Sequence, residues 1–441
     1  MNTVAEHASI APLVWIRRVL LLGLAGVGAW FAVHLGIGDH LAQTIESEPA
    51  RAGEALRWNP HDAGARIAAL AVSATSGDDT GTGANLVDGL RQALRSDPAQ
   101  SNALLVLARQ PGVFSDAQQA DRVVRLASRI GAANWVGRLD AADYWLGKGE
   151  VVAAVNEWSA ALERRPSLKT ELFPVLIRLA NDAGGRAVLA AMVDEQGRPG
   201  WWTEFAREAM SKARSVDDAR AIFDLSGQPD SGIRAAMVDR LIAEQRWGDA
   251  YLLWLAGLEP AAEAQLALLF DGGFDLRPLP GFGWQLEESR AAVSEFARTV
   301  GSDSTALHVV FRGHRNWFEG VWQRLLLPAG HYRISGRVRL DSLEAFRGLA
   351  WELRCALGSD RLLGSSERFL GTHDWKWFQF EITVPPHDCA AQKIVMRAVG
   401  DDVTQAAVRG EAWFDDMNIA PDAGTRTVLE SKQATARKAK R

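Results

Sequence analysis

In the C-terminal third of the chain, several short segments alternate between apolar residues and residues with basic, aromatic or amide side chains. Within residues 332–340, Tyr332, Ile334, Val338 and Leu340 alternate with arginines, which predicts one buried face and one outward face. An indole face packs on a sugar ring, and a guanidinium group binds a carboxylate through two parallel hydrogen bonds. The outward set therefore predicts a face that binds an acidic glycan. Its members are Arg333, Arg337, Arg354, Trp377, Gln379 and Arg397.

The same outward residues also suit a solvent-exposed sheet face that binds no glycan. Glu352 and Glu381 share the outward phase with the arginines, and arginine–glutamate pairs across neighbouring strands are common on such faces. The sequence leaves both interpretations open. A groove with exposed aromatic rings would favour a glycan, and a flat charged face would favour a protein partner.

Catalytic and nucleic-acid-binding functions find no support in the sequence. The nine histidines are scattered, no serine or cysteine lies in a nucleophile-elbow motif, and no cysteine–histidine cluster has zinc-site spacing. The net charge of −5 argues against a dedicated nucleic-acid binder, which would carry a basic domain. We therefore expect a protein that is not an enzyme and has no catalytic residues.

The chain has two cysteines, Cys355 and Cys389, both in its C-terminal third. A disulfide between them is expected if this part of the chain lies outside the cytoplasm. Two buried thiols are the alternative, and the sequence does not decide between the two states.

The region after Phe270 has the composition of an all-β domain. Glycine and proline cluster at residues 271–284, and short alternating segments separated by turn residues follow. Seven such segments predict an antiparallel β-sandwich. Their predicted bounds are Ala306–Arg312, Val321–Leu327, His331–Leu340, Ala350–Leu357, Trp377–Val384, Lys393–Val399 and Ala412–Ile419.

The order of landmarks within residues 274–420 resembles that of one family of sugar-binding domains, the jelly-roll carbohydrate-binding modules of the cellulose- and xylan-binding type. The resemblance implies a jelly-roll fold and a polysaccharide ligand. It also implies a structural calcium ion, with Asp275, Asp415 and Asp416 as oxygen ligands and no other cofactor. The landmarks are Gly273-Phe274, Gly283-Trp284, Val321-Trp322-Gln323, Trp375-Lys376-Trp377-Phe378 and Trp413-Phe414-Asp415-Asp416.

A helical repeat precedes the β-domain. The string Ala-Leu-x-x-x-Pro ends at Pro60, Pro98 and Pro166, and the last two prolines are 68 residues apart, which is two repeats of 34. Residues 54–262 resemble tetratricopeptide repeats, and the best copy surrounds Ala154. The resemblance implies a solenoid of helix pairs that binds partner proteins, here expected to be envelope proteins. Positions equivalent to Ala154 recur at Leu86, Ala120, Ala187, Ala219 and Ala250.

An apolar run of twenty residues, 19–38, contains no Asp, Glu, Lys or Arg. A helix of this length spans the hydrocarbon core of a membrane. Arg17 and Arg18 precede the run, so the positive-inside rule places residues 1–18 in the cytoplasm and the rest of the chain outside it. A cleaved signal peptide is the alternative, but it would have a shorter apolar region and a small-residue cleavage site. We expect an uncleaved inner-membrane anchor, with the bulk of the chain in a bacterial periplasm.

These patterns predict a multidomain chain with a transmembrane helix, an all-α solenoid of helix pairs and an all-β antiparallel jelly-roll sandwich. Residues 39–53 and 263–273 are expected linkers, and the basic tail 421–441 is expected to be disordered. The expected function is a membrane-anchored scaffold that binds a polysaccharide and envelope proteins during cell-surface polysaccharide assembly or export. The alternative is a purely protein-binding scaffold whose sandwich does not bind sugar.

Overall fold

The computed structural model describes residues 51–60, 62–75, 83–299, 304–314, 318–356, 360–399 and 407–427. The predicted cytoplasmic segment, the predicted anchor and the predicted linker up to residue 50 lie outside these ranges, as do residues 428–441 of the tail. Within the described ranges, no helix is both long and apolar enough to cross a membrane. The anchor at residues 19–38 therefore stays a prediction.

The chain divides into two compact units, and the boundary between them lies between Trp202 and Thr203 in the sequence. In the described residues the first unit is helical, whereas the second begins with helices and continues with strands. A 3₁₀ turn lies at Pro166–Leu168. The α-helices are α1 (Ala52–Trp58), α2 (Ala63–Thr75), α3 (Gly83–Ser96), α4 (Ser101–Arg109), α5 (Ala117–Ile130), α6 (Trp135–Gly147), α7 (Val151–Arg164), α8 (Lys169–Ala180), α9 (Ala183–Gln196), α10 (Trp202–Ser211), α11 (Val216–Leu225), α12 (Ser231–Ala243), α13 (Trp247–Leu255) and α14 (Pro260–Glu263).

Side-chain caps fix the first turn of several helices. Asp116, Asn134, Asp182, Ser215 and Asp230 each accept a hydrogen bond from the backbone N–H three residues further on. A helix N-terminus leaves these N–H groups without intrahelical partners, so each cap stabilises its helix by about 1 kcal/mol. The helix starts are thus encoded locally.

Three helices end just before the prolines of the repeat. Helices α1, α3 and α7 each stop two residues before Pro60, Pro98 and Pro166. Proline lacks the N–H that would continue the hydrogen-bond ladder, and its ring clashes with the preceding turn. Helix pairs are therefore observed, whereas their specific assignment to tetratricopeptide repeats stays a prediction.

The predicted repeat register holds in part. Ala154 is fully buried in α7, and Ala120, Ala219 and Ala250 are buried at the equivalent places in their own helices. Ala187 does not follow this pattern, because it is exposed in α9.

A glycine in α9 makes the close approach that was expected of Ala187. A Cβ atom on Gly185 would lie 2.2 Å from the carbonyl oxygen of Leu179. The predicted register is therefore wrong in this repeat, because Ala187 is exposed and Gly185, two residues earlier, approaches the preceding helix instead.

In the described residues, ten strands form two antiparallel five-stranded sheets. The first sheet has the order β1-β4-β9-β6-β7, and the second sheet has the order β2-β3-β10-β5-β8. The strands are β1 (Gln285–Leu286), β2 (Ala292–Arg298), β3 (Thr305–Arg312), β4 (Val321–Leu325), β5 (Gly330–Ala345), β6 (Leu349–Cys355), β7 (Leu362–Ser365), β8 (Gly371–Val384), β9 (Gln392–Ala398) and β10 (Val408–Pro421).

The seven strands predicted from alternation are all present, although their ends differ by a few residues. Strands β1, β2 and β7 were not predicted. All three lie at sheet edges, and β1 and β7 are two and four residues long. Strands β1 and β7 are too short to show an alternation, and β2 buries only its first residue, so these three strands leave no clear pattern in the sequence.

One continuous hydrophobic core lies between the two sheets. The predicted inward residues Ile334, Val338, Phe378 and Ile382 are all buried in it. Trp284, Trp351 and Phe414 are fully buried at its centre, with ring centroids 5.7 Å apart for the two tryptophans and 5.5 Å apart for Trp351 and Phe414. The prediction of which side chains on these strands face the core is confirmed.

The helices of the second unit pack against the start of the sandwich. The Trp254 indole N–H donates to the carbonyl oxygen of Pro280 at 3.0 Å, and its ring packs on Phe270 and Phe282. The backbone N–H of Phe270 donates to the buried Gln323 side chain, whose amide donates back to the Phe270 carbonyl. These bonds fix the segment that leads from α14 into the sandwich.

Candidate glycan-binding surface

Trp377 is the most exposed tryptophan among the described large hydrophobic residues, with 65% of its surface accessible. It lies on β8, at the edge of the second sheet, where the following residues Phe378 and Phe380 are buried. A strand directs successive side chains to opposite faces, so the buried phenylalanines force the indole outward. Gln379 is also exposed on this face, as predicted from the alternation.

Arginine and aromatic side chains alternate across the outer face of the second sheet. The Arg337 guanidinium lies over the rings of both Trp375 and Trp377, at 5.4 Å and 5.9 Å from their centroids. Arg339 lies over Trp375 at 5.8 Å and over Trp413 at 4.8 Å. His308 stacks on Trp413 with centroids 3.8 Å apart. We call these six residues the aromatic ladder.

The charge of Arg337 is balanced by two carboxylates. Its Nη2 atom lies 2.9 Å from Asp415 Oδ2, and its Nε atom lies 2.6 Å from Asp416 Oδ2. Burial raises the pKa of the Asp415 carboxyl above its usual value, although the Asp416 N–H and Arg337 oppose the shift. Arg333 in turn pairs with Glu381 at 3.6 Å on the exposed sheet face. The two predicted arginines of this face therefore have carboxylate partners of their own.

A groove of about 520 Å³ lies beside Trp377. The exposed indole contributes to its lining together with the polar residues Gln265, Asp416 and Asn418 and with small and apolar residues, among them Gly272 and Gly273. The groove thus combines an aromatic face with two amides and a carboxylate. These groups can pack on a sugar ring and exchange hydrogen bonds with its hydroxyls.

A bulge in β10 holds one wall of this groove in place. The pairing of β10 with β5 shifts register between Asp415 and Asn418, and Asp416 has a positive φ of 49°. Within the bulge, the Met417 N–H donates to the carbonyl oxygen of Gly272 at 2.8 Å. A Cβ atom on Gly272 would lie 1.8 Å from the Met417 carbonyl oxygen, so the close approach requires glycine.

Arg354 and Arg397 do not lie on the face of Trp377, which corrects the predicted six-residue set. Both belong to strands of the first sheet, β6 and β9, whereas the other four belong to β5 and β8 of the second sheet. Alternation shows that a residue points away from the core, but it does not show which of the two outer faces the residue reaches.

The arginines of the first sheet form an ion-pair network. Arg354 Nε lies 2.8 Å from Glu352 Oε2, and Arg354 Nη1 lies 3.0 Å from Asp360 Oδ2. Arg397 Nη2 lies 2.5 Å from Glu319 Oε1. Glu352, predicted to point outward, is buried in this network. Such pairs match the solvated-face interpretation for these two arginines.

The three aspartates expected to bind calcium do not form a metal site. Asp415 and Asp416 pair with Arg337, and Asp275 Oδ1 accepts a hydrogen bond from the Thr305 hydroxyl at 2.8 Å. Across the described ranges, no group of three or more His, Cys, Asp or Glu side chains is placed to hold a metal ion. A cation beside Arg337 would be repelled by it, so these residues do not fit a calcium ion.

Cys355 and Cys389 are joined by a disulfide, with their Cα atoms 5.2 Å apart. The bond links the end of β6 to the segment just before β9, the strand that pairs with β6. Both sulfur-bearing residues are buried. Of the two alternatives left open by the sequence, the structure contains the disulfide.

Sequence reasoning missed four members of the aromatic ladder, because it used Trp375 and Trp413 only as landmarks of the β-domain and did not select His308 or Arg339. Trp413 lies between the buried residues Ala412 and Phe414, so the alternation of β10 would have placed its ring on the outer face. Its burial comes from His308 and Arg339, which cover it from neighbouring strands. That cover depends on strand pairing, which the sequence does not show.

No family model and no curated protein matches the chain. Among solved structures, it is similar to "CBM4 structure and function", with 13% identity over 35% of this chain and 99% of that chain and a TM-score of 0.27. It is also similar to the CBM22-1 xylan-binding domain from Paenibacillus barcinonensis Xyn10C, with 12% identity over 35% of this chain and 94% of that chain and a TM-score of 0.25. A third similar structure is TmCBM61 in complex with β-1,4-galactotriose, with 18% identity over 36% of this chain and 100% of that chain and a TM-score of 0.24. These neighbours are carbohydrate-binding modules that match the sandwich. At such TM-scores, their ligands do not transfer to this chain.

Proposed function

We propose that the sandwich binds a polysaccharide at the groove beside Trp377. The observation that carries this proposal is an indole that is 65% exposed and shares a groove with Gln265, Asp416 and Asn418. Sugar rings present apolar C–H faces and a rim of hydroxyls, which match an indole and a set of amide and carboxylate groups. Covering roughly 50 Å² of the indole would contribute about 1 kcal/mol to binding.

The local charges favour a neutral sugar at this groove. Asp415 and Asp416 already pair with Arg337, and Glu381 pairs with Arg333. An acidic sugar would have to displace one of these carboxylates while Asp416 remained nearby as a like charge. We therefore replace the acidic ligand expected at Trp377 by a neutral one.

The whole chain would act as a membrane-anchored accessory protein in the assembly or export of a bacterial cell-surface polysaccharide. In this proposal, residues 19–38 anchor the chain in the inner membrane, and the helix pairs bind envelope proteins in the periplasm. The disulfide supports an oxidising compartment for the sandwich. The protein would hold the glycan and would not cleave it.

Affinity electrophoresis of the detergent-solubilised full chain tests the proposal. Gels containing xylan or a neutral β-glucan should retard the wild-type protein, and Trp377→Ala should weaken retention about fivefold. Phe346→Ala is a matched control, because Phe346 is 69% exposed and does not line the groove. If neither polysaccharide retards the wild-type chain, the proposed neutral-sugar groove at Trp377 fails.

A further inference from the structure

A second cleft lies on the outer face of the first sheet, on the opposite side of the sandwich from Trp377. It has a volume of about 460 Å³ and lies between the segment joining α12 to α13 and strands β4 and β9. Its lining includes two tryptophans, two cations, one exposed amide and one carboxylate. These residues are Gln245, Trp247, Trp322, Arg324, Asp360 and Lys393.

The two cations flank one indole. Lys393 Nζ lies 4.8 Å from the centroid of the Trp322 ring, and the guanidinium carbon of Arg324 lies 5.1 Å from it. Arg324 and Lys393 are directly paired between β4 and β9, so both side chains leave the sheet at the same level. Their common direction follows from the buried neighbours Leu325 and Ile394, which occupy the opposite face.

Two carboxylates near this cleft, Asp360 and Glu287, are bonded to other groups. Asp360 pairs with Arg354 at 3.0 Å, and Glu287 accepts a hydrogen bond from the Trp322 indole at 2.6 Å. Asp239 faces Arg324, whose Nη1 atom donates to the carbonyl oxygen of Gly281 at 2.9 Å. Within the part of the chain that the structure describes, Lys393 makes no ion pair. Its ammonium group is therefore available to an anion from outside.

We propose that this cleft binds a uronic acid residue of an acidic glycan. Lys393 would pair with the sugar carboxylate, with Arg324 adding positive potential, and the indoles of Trp247 and Trp322 would pack on the ring. The Gln245 amide supplies a donor and an acceptor for hydroxyls. An inorganic anion would use the cations but would gain nothing from the two indoles, so a charged sugar suits the cleft better. This site is separate from the neutral-sugar groove at Trp377.

Titration calorimetry of the detergent-solubilised full chain with trigalacturonate, xylotriose and inorganic phosphate tests the inference. Trigalacturonate should bind at low salt, and Lys393→Gln should weaken it about tenfold, the effect of losing one charge-assisted hydrogen bond. Lys376→Gln is the matched control, because Lys376 pairs with Glu367 on the second sheet. Trp377→Ala should leave trigalacturonate binding unchanged, which separates this site from the proposed neutral-sugar groove.

Three outcomes would overturn the inference. Trigalacturonate binding no tighter than xylotriose binding would remove the role of the carboxylate. Complete displacement of trigalacturonate by phosphate at equal concentration would identify a simple anion site. Binding unchanged in Lys393→Gln, with the variant unfolding at the wild-type temperature, would place the ligand elsewhere.

Discussion

The guanidinium carbon of Arg337 lies 5.9 Å from the centroid of the Trp377 ring, while its Nη2 atom is 2.9 Å from Asp415 Oδ2. One cation thus contacts both the exposed indole and a buried carboxylate. Because the carboxylate balances its charge, Arg337 positions the aromatic ring and does not offer a free cation to a ligand. The Lys393–Trp322 pair on the other sheet differs in this respect, since Lys393 makes no ion pair with the described residues.

Gly272→Ala should destabilise the second unit and disturb the groove at Trp377. The added methyl group would lie 1.8 Å from the Met417 carbonyl oxygen, so the backbone at residue 272 or the bulge in β10 would have to move. We expect a loss of about 1–3 kcal/mol in the free energy of unfolding, measured by urea denaturation. Gly248→Ala is the control, because a methyl group added there would meet no atom within 4 Å beyond its chain neighbours and its own helix backbone. Equal stability of the two variants would contradict the close approach.

Ala154→Trp and Ala187→Trp should differ sharply, although the sequence repeat treats the two positions as equivalent. Ala154 is fully buried in α7, so an indole there overpacks a helix contact and should cost about 1–3 kcal/mol of stability. Ala187 is exposed in α9, so the same change should cost little. Thermal unfolding monitored by circular dichroism compares them. A large loss at Ala187 would show that the sequence register is correct after all.

Replacing both Cys355 and Cys389 by serine should destabilise the sandwich. The disulfide closes a loop with a sequence separation of 34 residues, and a cross-link of that size stabilises a fold by about 3–4 kcal/mol through the unfolded chain. Urea denaturation with and without reductant measures the effect. The wild-type protein should lose stability in reductant, and the double variant should not change. A wild-type midpoint that is insensitive to complete reduction would argue against this contribution.

Asp271 should make stability depend on pH in the acidic range. Burial raises the pKa of this carboxyl above 3.8, against hydrogen bonds from the Asp275 and Leu276 N–H groups. The folded state therefore holds the proton more tightly than the unfolded chain. The stability contributed by Asp271 is present at low pH and is lost as the pH rises through the folded pKa.

Urea denaturation of wild-type and Asp271→Asn protein between about pH 3 and about pH 7 checks this sign. The asparagine of the variant cannot ionise. Its NH2 group takes the place of one of the two carboxylate oxygens that accept hydrogen bonds, so the variant should be less stable overall. Relative to the variant, the wild-type protein should lose stability as the pH rises. A difference that is constant across this range would contradict the assignment to Asp271.

The sequence by itself determined the local features of this protein. Alternation in residues 332–340 and around Trp377 predicted which side chains are buried, because the period of a strand is a property of neighbouring residues. Prolines and capping residues set helix ends for the same reason, because each acts on the backbone of the adjacent turn. The exposure of Trp377, on which the proposed function depends, was predictable from Phe378 and Phe380 alone.

Only the tertiary structure decided which outward residues share a face. Arg354 and Arg397 satisfy the same alternation as Arg337, yet their strands belong to the other sheet. The groove at Trp377 depends on the contact between Gly272 and the Met417 bulge, and the cleft at Lys393 depends on a helical segment that packs over the first sheet. Strand pairing and such long-range contacts are set by the packing of the whole core, so no local pattern in the sequence encodes them.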